Sequence, residues 1–389
     1  MSKGFKNAVK RFRNGWRIWI LVFVSAGFLS AADAPSARSL EDRIAEDIAD
    51  HELDDFTRIE AAFVLSGVTD PDSLNRYMDW YGDLVETIRA IPFEPGDRPG
   101  SASKVFNVLH ATWLKNYRLE ATTLLDIVRT RTFNCVSSTI LYNLICEDLG
   151  WSTEGFETPT HVFTIFNNFT QELMVENTSP LGFDIVSDLQ TYAEYLAHYY
   201  SRNELRKIGP DRLHLHELRN GRRIDNTELL GLLAYNQAYF ARKRGDYARA
   251  YDLVLLAQLF NRDSRSNAKL EKNLYYTWGK TLFERGEVRR AFEVLADGVY
   301  RHPDESGLVQ NTHAAFARSL QMYYNARDWE ETAVLIREML DLEILDDRHK
   351  DALLSLLTRW AAFLSKTQRK EAYEEAVAFY TLLARGDGP

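Results

Sequence analysis

RTFNCVSSTILYNLICEDLGW, residues 131–151, decides how the chain is read. Asn134 precedes a cysteine, and behind it Val136, Ile140, Leu141, Leu144, Ile145 and Leu149 recur at helical spacing. Asn134 is a good N-cap and Gly150 a good C′ residue, so the pattern predicts a helix that starts at Cys135 and stops before Gly150. Cys135 then lies in the first turn. There the positive end of the helix favours thiolate, and backbone N–H groups are at hand for an oxyanion. Cys146, the only other cysteine, sits among Leu144, Ile145 and Leu149 and reads as a buried core thiol. Eleven residues of helix hold the two Cα atoms about 16 Å apart, and a disulfide needs them within about 7 Å. Neither a bridge nor a metal framework accounts for the pair.

Two short runs follow, PTHVFTIF (159–166) and ELMVENTSP (172–180). Residues 159–166 and 172–178 read as strands. Alternation puts His161, Phe163 and Ile165 on one face of the first. A hairpin closed around Asn167-Asn168-Phe169-Thr170 would set His161 directly opposite Glu176. Opposed Cβ atoms are about 4.5–5.5 Å apart, so the carboxylate would accept from the imidazole, fix its tautomer and support its charged form. A slip of one residue would turn Glu176 away and bring Asn177 round. Cysteine nucleophiles need this set of parts: an activated thiol, a base, and a group that orients the base.

The chain has 389 residues and is 45% hydrophobic, enough for about two or three domains with real cores. A net charge of −9 argues against non-specific nucleic-acid binding. Lys3, Lys6, Lys10, Arg11, Arg13 and Arg17 precede an apolar run from Ile18 to Leu29, then Ser30-Ala31-Ala32-Asp33-Ala34. This predicts a secretory signal over 1–32, cleaved near Ala32, or an N-terminal membrane anchor in its place. The run is shorter than the roughly 18–20 residues of a spanning helix. Either way the chain is expected to be exported, to a periplasmic or other extracytoplasmic place.

Residues 40–92 read as a helical prefix of two or three helices. The stretch 92–103 reads as a loop, and 104–118 and 121–130 as helices. Residues 188–200 read as helical and 201–227 as a polar linker. His214-Leu215-His216-Glu217 falls in that linker and reads as solvated rather than as a metal site. His110 and Trp113 read as packing or pocket wall. No glycine-rich phosphate loop is present, and no cofactor or metal is expected. From about 228 to 384 the chain reads as helix pairs. YNQAYFARKRGDYARAYDLVLLAQLFNRD (235–263) resembles a tetratricopeptide repeat, and the equivalent positions 245, 286 and 327 recur every 41 residues. That is about seven more than the usual period of about 34. A fourth pair, about 350–384, reads as a cap.

Taken together, the residues resemble the transglutaminase-like cysteine protease superfamily, more closely its bacterial members fused to tetratricopeptide repeats. Asn134-Cys135-Val136-Ser137-Ser138 is similar to the nucleophile segment, Pro159-Thr160-His161-Val162-Phe163 to the base segment, and Val175-Glu176-Asn177-Thr178 to the strand of the orienting acid. The resemblance implies a papain/transglutaminase-like α+β domain over 93–200, followed by an all-α tetratricopeptide-like solenoid over 228–384. It implies Cys135 as nucleophile, His161 as base and Glu176 as orienting acid. Glutamate stands where the superfamily usually has aspartate, which keeps Asn177 open as the orienting residue. The activity implied is acyl transfer or hydrolysis at amide bonds of a protein or peptide, with a protein partner on the repeats. The competing expectation is a scaffold that acts through its repeats and no longer turns over.

Overall fold

Helix starts in this chain are set by short polar side chains. Thr57, Asp70, Asp97, Thr123 and Asn134 each accept a hydrogen bond from the first turn of the helix that follows. These caps satisfy donors that have no partner within the helix. The computed structural model describes residues 38–168, 172–184, 193–194, 196–197, 200–209 and 212–385. The leader read over 1–32, the hairpin tip at 169–171 and most of the 188–200 segment lie outside the described residues. Among the described residues, no helix is long and apolar enough to cross a membrane.

An α+β part comes first. Helices α1 (Leu40–Asp47), α2 (Arg58–Leu65), α3 (Pro71–Arg89) and α4 (Arg98–Thr112) precede a parallel pair, β1 (Asn116–Tyr117) and β2 (Thr132–Phe133), which flanks α5 (Leu124–Thr130). The helix expected from residue 104 therefore begins earlier, at Arg98. Asp97 caps it, and a proline in its first turn needs no donor there. The 104–118 helix also stops at Thr112, because 116–117 is strand.

Helix α6 (Cys135–Asp148) leads into β3 (Ser152–Glu157), β4 (Val162–Asn167) and β5 (Glu172–Val175). Its far end closes as the glycine predicts. Gly150 has φ 74°, its N–H reaches Glu147 O at 2.8 Å, and the Trp151 N–H reaches Cys146 O at 2.9 Å. That pair of bonds is a Schellman motif. All of α6 from Cys135 to Cys146 is buried, polar residues included.

The sheet is antiparallel, in the order β5-β4-β3-β6, and here the linker reading fails. Residues 201–227 hold α7 (Arg202–Ile208), α8 (Leu213–Asn220) and β6 (Arg222–Ile224), and β6 forms the sheet edge against β3. The division at 228 fails as well. Helices α9 (Asn226–Arg244) and α10 (Tyr247–Phe260) share a continuous core with the α+β part, running from Leu40 to Leu274. A buried carboxylate, Glu157, joins the two across that seam. It accepts from Arg222, from Asn261 Nδ2 at 3.3 Å and from Ser264 Oγ at 3.1 Å.

The remaining helices continue in pairs: α11 (Arg265–Glu284) with α12 (Val288–Arg301), α13 (Ser306–Ala326) with α14 (Trp329–Asp341), and α15 (Asp347–Lys366) with α16 (Lys370–Arg385). The 41-residue period is visible in the backbone. Gly245, Gly286, Arg327 and Gln368 all lie in the left-handed region, at φ 81°, 80°, 57° and 57°. At each turn the next N–H bonds five residues back, Asp246 to Ala241, Glu287 to Leu282, Asp328 to Tyr323 and Arg369 to Leu364. The fourth pair thus repeats the others rather than departing from them. Small residues allow the close crossings: a Cβ on Gly279 would lie 2.5 Å from Leu295, and one on Gly298 would lie 2.9 Å from Tyr275.

A left-handed L-residue costs roughly 1–2 kcal/mol. Arg327→Gly and Gln368→Gly are therefore expected to stabilise the repeats by about 0.5–1 kcal/mol, after glycine's own entropy is subtracted, whereas Gly245→Val destabilises them by roughly 1–2 kcal/mol. Urea unfolding of the full chain checks the signs. A chain ended after Asp225 is expected to lack a cooperative transition, since it loses the α9–α10 half of the shared core.

Candidate active site

Cys135 owes its place to the cap before it. Asn134 Oδ1 accepts from the Val136 and Ser137 N–H groups at 3.0 and 3.1 Å, and Ser137 Oγ accepts from Asn134 N at 3.0 Å. The Asn134 amide also donates to Leu119 O at 3.1 Å, which ties the cap to the loop after β1. Two of the first-turn amides expected to serve an oxyanion are thus already engaged. The Cys135 N–H is the first-turn donor that the cap leaves open. Cys135 and Cys146 are both free thiols. Burial pushes the Cys146 thiol well up, against a smaller opposing effect of the Tyr142 hydroxyl, so it stays protonated as a core residue.

The structure brings His161 and Glu176 together, at 2.6 Å between Nε2 and Oε2. The register that does so differs from the expected one by two residues. Thr164 pairs with Val175 and Asn167 with Glu172, so the extrapolated partner of His161 is Thr178, and Glu176 lies diagonally across. A two-residue shift keeps every side chain on its face, whereas a one-residue shift would not. Diagonal neighbours are about 7–8 Å apart, and the longer glutamate side chain covers that gap.

Each partner is held from behind. The His161 N–H donates to Thr158 Oγ1 at 3.0 Å, and its carbonyl accepts from Thr158 N at 2.8 Å. The second oxygen of Glu176 accepts from Thr178 N at 3.1 Å and Thr178 Oγ1 at 2.5 Å. Gly182 closes the loop that carries the acid: its carbonyl accepts from Glu176 N at 2.9 Å, and a Cβ there would fall 1.9 Å from Glu176 O. Cys135 lies near enough to act electrostatically on the imidazole. With Nε2 given to Glu176, Nδ1 is the nitrogen left for the sulfur. Burial opposes a charge on His161, but the charges of Glu176 and Cys135 and the hydrogen bond to Glu176 outweigh it, and its pKa is pushed up to about 10.

Asn177 is turned the other way. Its Nδ2 donates to Thr164 Oγ1 at 2.8 Å and Thr139 Oγ1 at 3.3 Å, beneath the sheet. His110 packs against Phe106 with centroids 4.5 Å apart and rings tilted by 54°, and Trp113 packs edge-on to Trp80 at 4.9 Å. Burial lowers the His110 pKa to about 4, although the Asn177 backbone and the nearby Glu176 both favour its charged form. Residues 214–217 form part of α8; Leu215 is exposed and His214 and His216 are half-buried, but the solvated reading fails for Glu217, which is fully buried. It accepts from Tyr200 and, at 3.4 Å, from Thr160. Burial raises its pKa against Thr158, the nearby His161 charge and Thr160. Thr158 and Gly182 were not singled out in the sequence, Thr178 entered only within the segment of the orienting acid, and Glu217 only as a solvated residue. The one signal for Thr158, Thr178 and Gly182 is that they sit two to six residues from His161 or Glu176.

A cleft lined by His51, Arg58, Tyr81, Glu147 and Asp225 lies elsewhere, at the C-terminal end of α6. Twelve residues of helix separate Glu147 from Cys135, about 18 Å. No family model matches the chain, and neither does any curated protein.

Iodoacetamide near pH 6 is expected to modify Cys135 before Cys146, because Cys146 is fully buried with a raised pKa. Peptide mapping reads the order. Gly182→Ala forces the loop off Glu176 and is expected to destabilise the fold by about 1–3 kcal/mol and to slow Cys135 alkylation. An unchanged alkylation rate in a folded variant would remove Gly182 from the positioning role.

Proposed function

We propose that the chain carries out thiol-dependent acyl transfer or hydrolysis at amide bonds of a protein or peptide, through Cys135, His161 and Glu176. The observation that carries this reading is a single buried imidazole that lies 2.6 Å from a buried carboxylate and is influenced by the charge of a helix-start thiol. The papain/transglutaminase-like architecture of the α+β part and the tetratricopeptide-like character of the helix pairs belong to the same proposal. So does export by the basic and apolar leader.

The chemistry follows from the parts. The Cys135 thiolate attacks the carbonyl carbon, and the developing oxyanion meets the Cys135 N–H at the positive helix end. His161, charged at neutral pH, gives its proton to the leaving amine as the C–N bond breaks. A thioester remains on Cys135. Water then yields a hydrolysis product, with His161 taking the proton. An amine in its place yields a new amide. Glu176 orients the ring and supports its positive charge. The repeats supply a surface for a protein partner or for holding the substrate. One observation favours the competing scaffold reading: Cys135, His161 and Glu176 are only 7%, 4% and 0% exposed. A mechanism-based vinyl-sulfone probe separates the two, since a scaffold leaves Cys135 unlabelled in the native protein.

Cys135→Ala is expected to abolish turnover and Glu176→Gln to reduce it by about 10²–10⁴-fold. Asn177→Ala is expected to cost stability, about 1–3 kcal/mol from partners left unpaired, more than turnover. Turnover needs the imidazolium as acid, so it holds through neutral pH and falls as pH rises through about 10, where His161 loses its proton. Glu176→Gln removes a charge that raises this pKa, so its alkaline limb shifts to lower pH. A pH–rate profile of both proteins reads the shift. An alkaline limb at the same pH in both would remove Glu176 from the role.

A further inference from the structure

In the third and fourth helix pairs, far along the chain from Cys135, two imidazoles and a carboxylate converge. His313 lies on α13 and is buried at 5% exposure. Asp346 is the N-cap of α15, and His349 lies in its first turn. One potential ligand atom from each of the three lies within 4.8 Å of the others. The two rings stack with centroids 4.0 Å apart, 29° from parallel.

Capping explains part of this grouping. Asp346 Oδ1 accepts from the His349 backbone N–H at 2.8 Å, and the same oxygen lies 2.6 Å from His349 Nδ1. It does not explain why a second, buried imidazole is stacked on the first. His313 Nε2 donates to Ile344 O at 2.9 Å. A neutral imidazole has one N–H and one lone pair, so this bond fixes the tautomer and leaves Nδ1 with its lone pair. In His349 the bond to Asp346 leaves the lone pair on Nε2. A ring held through one nitrogen by a carbonyl or carboxylate, with the other nitrogen bare, is how proteins present histidine to a metal.

We propose that His313, Asp346 and His349 form a binding site for a borderline first-row divalent cation, Zn²⁺ by class, with water completing the coordination. Two imidazoles and one carboxylate suit Zn²⁺, Co²⁺ or Ni²⁺ rather than Ca²⁺ or Mg²⁺, which prefer all-oxygen shells. Bonds of about 2.1 Å in a tetrahedron set ligand atoms roughly 3.4 Å apart. The site closes to that spacing by side-chain rotation of Asp346 and His349, whose side chains are 55% and 27% exposed, around a fixed His313. The ion would clamp α13 to the start of α15, the junction of the third and fourth helix pairs. The three residues are 33 and 36 positions apart at most, with no short motif, so only the fold discloses them.

The test is titration of the full chain with Co²⁺ and Zn²⁺. One equivalent of Co²⁺ is expected to give visible d–d bands of a nitrogen/oxygen site, and one equivalent of Zn²⁺ to bleach them. In a protein with an unchanged circular dichroism spectrum, His349→Ala abolishes the bands. Asp346→Asn weakens binding by about tenfold or more. Cys135→Ser and His216→Ala leave both stoichiometry and spectrum unchanged, which separates this site from the thiol and from the α8 histidines. The wild-type titration decides even if His349→Ala does not fold. Absence of saturable binding there would show a stacked histidine pair and no metal site. Binding that survives His349→Ala, or that disappears with Cys135→Ser, would overturn the assignment.

Discussion

A helix buried on every side has to satisfy its polar groups without water, and α6 carries that constraint for the whole α+β part. Its first donors go to the Asn134 side chain, and its last carbonyls are met by the Gly150 and Trp151 amides. Ser137 Oγ donates to Ala121 O at 3.0 Å and Ser138 Oγ to Asn134 O at 2.7 Å. Asn143 sits at the middle. It accepts from Thr164 Oγ1 at 2.5 Å on the sheet and donates to Asn226 Oδ1 at 2.9 Å at the start of α9. An unpaired buried polar group costs about 1–3 kcal/mol, so these bonds specify where the sheet and α9 sit against the helix. Cys135 is positioned because the helix that begins with it has so little freedom.

The same network separates Glu176 from Asn177. Consecutive residues at a strand end point to opposite faces. Asn177 goes down to Thr164 and Thr139 on the helix side, and Glu176 goes up to His161. Each residue has the chemistry its side demands. The lower side offers hydroxyls that want an amide donor, and the upper side offers an imidazole that wants an anion. Exchanging them would bury a carboxylate against acceptors and leave the imidazole without a counter-charge.

Much of this was legible in the sequence, and the misses have physical reasons. Asn134 and Gly150 bounded α6 because caps are local chemistry. His161 and Glu176 were matched because facing depends only on parity along a strand, so a register in error by two residues still put both on one face. The register itself depends on the loop tip and on packing, which the pattern of 159–180 does not carry. The 41-residue period was legible through Gly245 and Gly286. Its fourth copy was not, because Gln368 holds the left-handed turn without the residue that usually marks it. The boundary at 228 failed for another reason. Polar residues at 201–227 read as solvated, but Glu217 and Arg222 are polar because they pair inside: Glu217 with Tyr200, and Arg222 with Glu157 and Glu228. Charge in a sequence reports solvent only when no partner is near, and partners distant in sequence are what a linear reading lacks.

The His161–Glu176 pair is where positioning and stability meet. Both side chains are fully out of solvent, and breaking a buried pair by removing one partner costs about 3–5 kcal/mol. The pair persists because the second oxygen of the carboxylate is also bonded, by the Thr178 N–H and hydroxyl. Its linkage to pH has a definite sign. The folded-state pKa of His161 lies above the ordinary value, so its contribution to stability is complete below about 6.5 and is lost as pH rises through about 10. The window in which the charged imidazole stabilises the fold is therefore the window in which it can donate a proton. A frame rigid enough to hold that charge without water is stable under the same conditions in which the proposed acid is loaded. The acid–base parts accordingly sit at the buried ends of a helix and of two strands, where the frame holds them.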